Sequence, residues 1–79
     1  MKKNLIKHLE IFQSQAVIDC LRANEDTLRD ELNITTAEQC KKLLINKNDE
    51  LLTQSDWDDI HWHAGYVRGL QDAINLITK

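Results

Sequence analysis

Residues 61–77 read HWHAGYVRGLQDAINLI and hold both glycines of the chain, Gly65 and Gly69, inside what the flanking residues make a single helix. On a helical wheel at about 100° per residue, this stretch and the residues just before it carry two apolar seams. One seam collects Ile60, Ala64, Val67 and Ile74, flanked by Trp57, Leu70 and Ile77. The second, more than a quarter-turn away, collects Trp62, Tyr66, Gly69, Ala73 and Leu76 at the 4-3-4-3 spacing of a helix that packs along another helix. Only a narrow stripe is left for water: His61, Arg68 and Asp72, with Gln71 and Asn75 at its edge. A helix that is apolar over most of its circumference needs more than one neighbour.

The glycines sharpen that expectation. In a helix interior each costs roughly 0.5–1 kcal/mol relative to alanine. Gly65, Gly69 and Ala73 are small residues at i, i+4 and i+8, which let a second backbone approach while Trp62 and Tyr66 supply bulk beside the gap. The neighbour is either the first helix of the same chain, or a second copy or a different protein. The sequence favours the latter, because the first helix also carries a spare apolar pair, Ile11 and Ile18, one heptad apart. The membrane version of G-x-x-x-G is excluded by the flanking Asp, His and Arg.

Outward from this helix, the rest of the chain reads as helical too. There is no proline, and apart from Gly65 and Gly69 no glycine, so strong helix breakers are nearly absent. Leu5, Leu9, Phe12, Ala16 and Cys20 form an apolar stripe widened by Ile6, Val17 and Leu21, predicting a first helix from about Lys3 or Asn4 to at least Arg22. Leu28 and Leu32 keep the period going, so the expectation is continuation to Leu32, with Asn24-Glu25-Asp26 as the weak point. Asn33-Ile34-Thr35 is a boundary, and Thr35-Thr36-Ala37-Glu38 fits a capping box opening a short middle helix that turns Ala37, Cys40, Leu43 and Leu44 inward. Asn46-Lys47-Asn48-Asp49 reads as a polar turn, with Leu51 and Leu52 tucked under the fold. The third helix is expected from Ser55, where Ser55-Asp56-Trp57-Asp58 is a second capping signature and the aspartates suit the helix dipole.

Size and composition bound the function. With 79 residues the chain is read as one domain over 1–79, small enough that oligomerisation often completes such a core. Apolar residues at 42% and charged residues at 29% argue against wholesale disorder. A net charge of −3 is too mild for electrostatic nucleic-acid binding or nucleic-acid mimicry. Lys2, Lys3 and Lys7, and Lys41, Lys42 and Lys47, are read as solvated surface groups. Cys20 and Cys40 lack zinc-ligand spacing and are read as small apolar side chains on buried faces. No stretch approaches the roughly 18 apolar residues of a membrane span, and the N-terminal segment lacks a clean signal-peptide core, so a cytoplasmic setting is expected.

Chemistry finds little support. The densest polar cluster is Asp58-Asp59-Ile60-His61-Trp62-His63, but His61 and His63 point about 200° apart. Asp59 and His63 alone share a face, too few for a metal. His63, with an ordinary imidazole, could make association pH-sensitive if it lay in a subunit contact. No nucleophile elbow and no phosphate-cradling loop is present, so an enzyme is not expected and no cofactor is assigned.

Trp57, Gly65, Gly69 and Leu70 give the C-terminal third a resemblance to small helical proteins of tailed bacteriophages. In those, an aromatic in the first turn precedes an A/Q-G-x-x-x-G-L segment. The resemblance implies a phage-encoded accessory protein without catalytic residues, either a virion component or a modulator of a host factor. The expectation is therefore an all-α domain of two long helices and a short middle one, a hairpin or three-helix bundle that oligomerises. It acts through Trp62, Tyr66, Gly65, Gly69, Ala73 and Leu76, with Ile11 and Ile18, on itself and on a larger protein. The alternatives are an inhibitor of a host defence or replication protein using the acidic stretch from Asp49 to Asp59, or a nucleic-acid-associated regulator.

Overall fold

A computed structural model describes residues 2–46 and 58–78 as four helices, with no strand among the described residues: α1 (Lys2–Ala23), α2 (Glu25–Leu32), α3 (Ala37–Ile45) and α4 (Asp58–Thr78). The all-α class and the two long helices are as the periodicity predicts, with two short helices, α2 and α3, between them. The expected turn after Asn46, the tucked Leu51 and Leu52, the cap at Ser55 and the flank at Trp57 lie outside the described residues. The molecule is 42 Å long and 22 by 17 Å across. α1 and α4 run antiparallel along that length. Gln13 bonds to Val67 and Gln71, while Asn24, further along the chain at the end of α1, bonds to Asp59, earlier in α4. α3 packs along this pair on one side, closing a core of Val17, Cys20, Leu28, Leu44, Ile60 and Val67 with their smaller neighbours.

Three expectations need correction. The first helix does not continue smoothly to Leu32: it breaks at Asn24, whose φ of −122° and ψ of 26° leave the helical region. The Asn24 amide donates both to the Cys20 carbonyl (3.0 Å) and to the Asp59 carboxylate (2.7 Å). That local competition for backbone groups is what makes asparagine a poor mid-helix residue. The ladder resumes at once, with Leu28 N–H donating to Asn24 O at 2.9 Å, and Leu28 is fully buried. α2 then stops at Asn33, which takes a left-handed conformation (φ 56°, ψ 37°) that asparagine tolerates, and Ile34 N–H closes back to Leu28 O at 2.8 Å.

The capping box of α3 is shifted by one residue. Thr36, not Thr35, is the cap, and Gln39, not Glu38, completes the box. Thr36 Oγ1 accepts from Gln39 N–H, while Gln39 Oε1 accepts from the backbone N–H groups of Thr35 and Thr36. A glutamine carbonyl serves as well as a carboxylate here, and this register keeps Cys40, Leu43 and Leu44 on the buried face. Thr36→Ala is therefore expected to lower stability by about 1 kcal/mol in a urea melt, with Thr35→Ala nearly silent; the reverse order would favour a box that opens at Thr35.

On α1, Phe12 and Leu5, placed on the core stripe by their spacing, are exposed, whereas Gln13 is buried. The inward face of α1 runs through Gln13, Ala16, Val17 and Cys20. Gln13 is tolerated there because its amide is spent on α4: Nε2 donates to Val67 O and to Gln71 Oε1, both at 3.1 Å.

Cys20 and Cys40 are both fully enclosed, as small apolar side chains would be. Both thiols are free, and Cys40 Sγ donates to Val17 O at 3.9 Å. The hydrogen bond to Cys40, followed by burial, pushes the Cys20 thiol far above its ordinary range. The same contact with Cys20 draws the Cys40 thiol below its ordinary range, so for Cys40 it is enclosure that bars reagents. Neither cysteine should react with iodoacetamide in the folded chain near neutral pH, and both should react in urea. Alkylation of the native protein at the free-thiol rate would contradict this core.

Candidate docking face

The site is built by α4 showing its two seams to different surroundings. Ile60, Ala64, Val67 and Ile74 are buried against α1 and α3, and Leu70 and Ile77 are half-buried beside them. The second seam is left outside. Trp62 is 63% exposed, Tyr66 43% and Leu76 70%; Gly69 is exposed, and Ala73 is half-buried. Across a shallow groove α1 contributes Phe12, 54% exposed, with Ala16 and Asp19. One side of the α1–α4 pair is thus covered by α3, and the other carries an uncovered aromatic cluster.

The cluster is ordered within itself. Trp62 and Tyr66, one turn apart, stack with ring centroids 5.5 Å apart and planes inclined by 11°. Trp62 also meets His63 edge-on at 5.0 Å. Such pairs contribute roughly 0.5–1.5 kcal/mol beyond buried area and limit the rotamers open to the indole. His63 itself turns inward and is buried. Its Nδ1 lies 2.8 Å from the Asp59 carbonyl, and since a carbonyl only accepts, Nδ1 carries a proton. The Asp59 carboxylate is 3.4 Å from the same nitrogen and accepts from Asn24. Asp59 therefore ties the first turn of α4 to the α1 break through Asn24, with His63 packed against it from the next turn. Among the described residues, no group of three or more His, Cys, Asp or Glu side chains converges.

A β-carbon built at Gly65 or Gly69 meets nothing within 4 Å. This excludes one of the two explanations for the glycines: α1 of the same chain does not approach closely enough to require them. Within the monomer, Gly65→Ala and Gly69→Ala are each expected to raise stability by roughly 0.5–1 kcal/mol, measured as an upward shift of the urea midpoint at concentrations too low for association. A loss of stability would mean that the helix is packed there after all.

The remaining predicted residues separate. Ile11 is 56% exposed, but it lies on a different side of α1 from Phe12, in a hollow with Lys7, Glu10 and Ile18. Ile18 is half-buried beside Ala37 and Lys41 of α3. The structure thus brings together Trp62, Tyr66, Gly65, Gly69, Ala73 and Leu76, and leaves Ile11 and Ile18 apart from them. Phe12 is the member that spacing missed. Its trace in the sequence is the alternative inward series Gln13, Val17, Cys20, at intervals of 4 and 3, which puts Phe12 outside once a glutamine is allowed in the core.

Two residues of the predicted water-facing stripe also have structural work. Arg68 reaches the open C-terminus of α3, where Nε donates to Leu44 O at 2.7 Å and Nη2 to Asn46 O at 2.9 Å. The last carbonyls of a helix lack partners within it, and a guanidinium suits both their hydrogen bonding and the negative end of the dipole. Gln71 accepts from Gln13 and donates to Asn75 Oδ1 at 3.1 Å. No described helix is long and apolar enough to cross a membrane. Compared with family profiles, curated proteins and solved structures, the chain finds no match.

Proposed function

We propose that this chain is a non-enzymatic interaction module that docks another helix on the open side of the α1–α4 pair, whether from a second copy or from a larger protein. The observation that carries the reading is the exposure of Trp62, Tyr66 and Leu76 along one seam of α4, with Phe12 of α1 beside the two aromatics, on a molecule whose core is already closed by the other seam of α4. Large apolar groups gathered on one face mark contact sites more often than scattered ones do. Tryptophan and tyrosine are prominent among the residues that dominate binding energy. Gly65 and Gly69, whose β positions meet nothing within 4 Å among the described residues, let a docked backbone come close between the aromatics and Leu76. The resemblance of the C-terminal third to phage helical proteins suits the same reading, as an accessory protein that works by contact.

The test compares two baits. The unmodified chain and Trp62→Glu are each immobilised and exposed to lysate of cells that express the protein, with purified chain added in a parallel arm. Partners held by the unmodified chain and lost with Trp62→Glu support the docking face. Equal recovery on both baits places binding elsewhere and contradicts it.

A further inference from the structure

The open face needs an occupant, and its identity rests on the docking reading above. We propose that the occupant is α4 of a second copy of this chain, lying antiparallel, with the twofold axis near Gly69.

Charge favours this orientation. At the end of the molecule where α1 begins and α4 finishes, Lys2, Lys3 and Lys7 are exposed, with no acid before Glu10. At the other end, where α4 begins and α1 gives way to α2, the exposed acids Glu25, Asp26, Asp58 and Asp59 outnumber the exposed Arg22. Arg29 nearby is already held between Asp26 (3.0 Å) and Asp30 (2.9 Å). The chain is therefore basic at one tip and acidic at the other. A parallel pair would set lysines on lysines and aspartates on aspartates. An antiparallel pair sets each basic tip beside its partner's acidic one, an arrangement that fixes orientation and discourages the wrong one.

Side-chain volume points the same way. The bulky half of the seam, Trp62 and Tyr66, lies towards the acidic tip, and Ala73 and Leu76 lie towards the basic tip. Parallel pairing would crowd indole on indole at one end and leave alanine opposite alanine at the other. Antiparallel pairing about Gly69 instead sets Trp62 against Leu76 and Tyr66 beside Ala73, so that neither end stacks its aromatics on aromatics. Gly69 lies nearly midway along α4, where the two helices would cross, and its missing β-carbon faces open space in the monomer.

Spin labels test the orientation. Asn4→Cys and Ala23→Cys place a label at exposed sites near the basic and acidic ends without altering a charge, and the two native thiols are enclosed. Each site lies about 14 Å along the axis from the level of Gly69, at 1.5 Å per residue. In an antiparallel pair, like labels are then about 30 Å apart or more, while a mixture of the two labelled chains adds a population below about 20 Å. Raising salt from about 50 to 500 mM should weaken this pairing several-fold, because tip attractions are screened. A short distance between like Asn4 labels, or a dimer that tightens with salt, overturns the antiparallel pair while leaving the docking face standing. A chain that stays monomeric throughout removes the second copy as occupant. If the two-bait comparison also shows no dependence on Trp62, the docking reading itself is lost.

Discussion

Trp62→Glu is expected to abolish self-association at micromolar concentration while leaving the chain fully helical. Trp62 is 63% exposed, so a carboxylate there costs the isolated monomer little beyond the lost stack on Tyr66. In a docked pair the same carboxylate would be desolvated against an apolar partner, and an unpaired buried charge is among the most unfavourable placements a side chain can have. Truncating an aromatic anchor alone typically weakens binding by at least about 2 kcal/mol, roughly 30-fold in Kd, and the added charge takes the loss further. Tyr66→Glu should act the same way, and Ile11→Glu should not, because Ile11 faces a different side of α1. Circular dichroism separates the outcomes: loss of association with unchanged ellipticity supports the face, whereas loss of both would mean that Trp62 serves the monomer's own fold.

The largest effect on stability is expected from a leucine on the opposite side. Leu44 is fully enclosed where α3 meets α1 and α4, and its carbonyl accepts from Arg68. Leu44→Ala deletes the same atoms as Leu76→Ala, but the first leaves a cavity and the second trims a side chain that is 70% exposed. The expected cost is about 2–5 kcal/mol for Leu44→Ala and under about 0.5 kcal/mol for Leu76→Ala in the monomer. For a small domain the first is a large share of total stability. Urea unfolding by ellipticity at low protein concentration reads both. Two equal shifts would mean that α3 does not close the core, or that Leu76 is not outside it.

The two seams of α4 are legible in the sequence because apolar residues or glycine recur at 4-3 spacing over four turns, with Gln71 the one polar residue at an inner-seam position. Ile60, Ala64, Val67 and Ile74 go inside, and Trp62, Tyr66 and Leu76 stay out. Spacing cannot choose between Phe12 and Gln13 on α1, because a buried glutamine becomes acceptable only when a specific acceptor, here Val67 O and Gln71, is already in place. Arg68 escapes the pattern for a related reason. Its role depends on where the C-terminus of α3 falls in space, which no local pattern encodes. The break at Asn24 and the cap at Thr36 are one-residue decisions settled by side-chain hydrogen bonds, and periodicity does not resolve single residues at helix ends. The glycines are legible as a pair needing a reason. The empty space around them removes the intramolecular reason.

The most direct measurement is sedimentation equilibrium of the unmodified chain from low micromolar to near-millimolar concentration, with Trp62→Glu alongside. If the open side of the α1–α4 pair takes a second copy, the weight-average mass rises from 9.2 kDa towards twice that value, and the Trp62→Glu chain stays at 9.2 kDa throughout. A mass fixed at 9.2 kDa for both chains would contradict self-association, and a mass rising equally for both would contradict the docking face at Trp62.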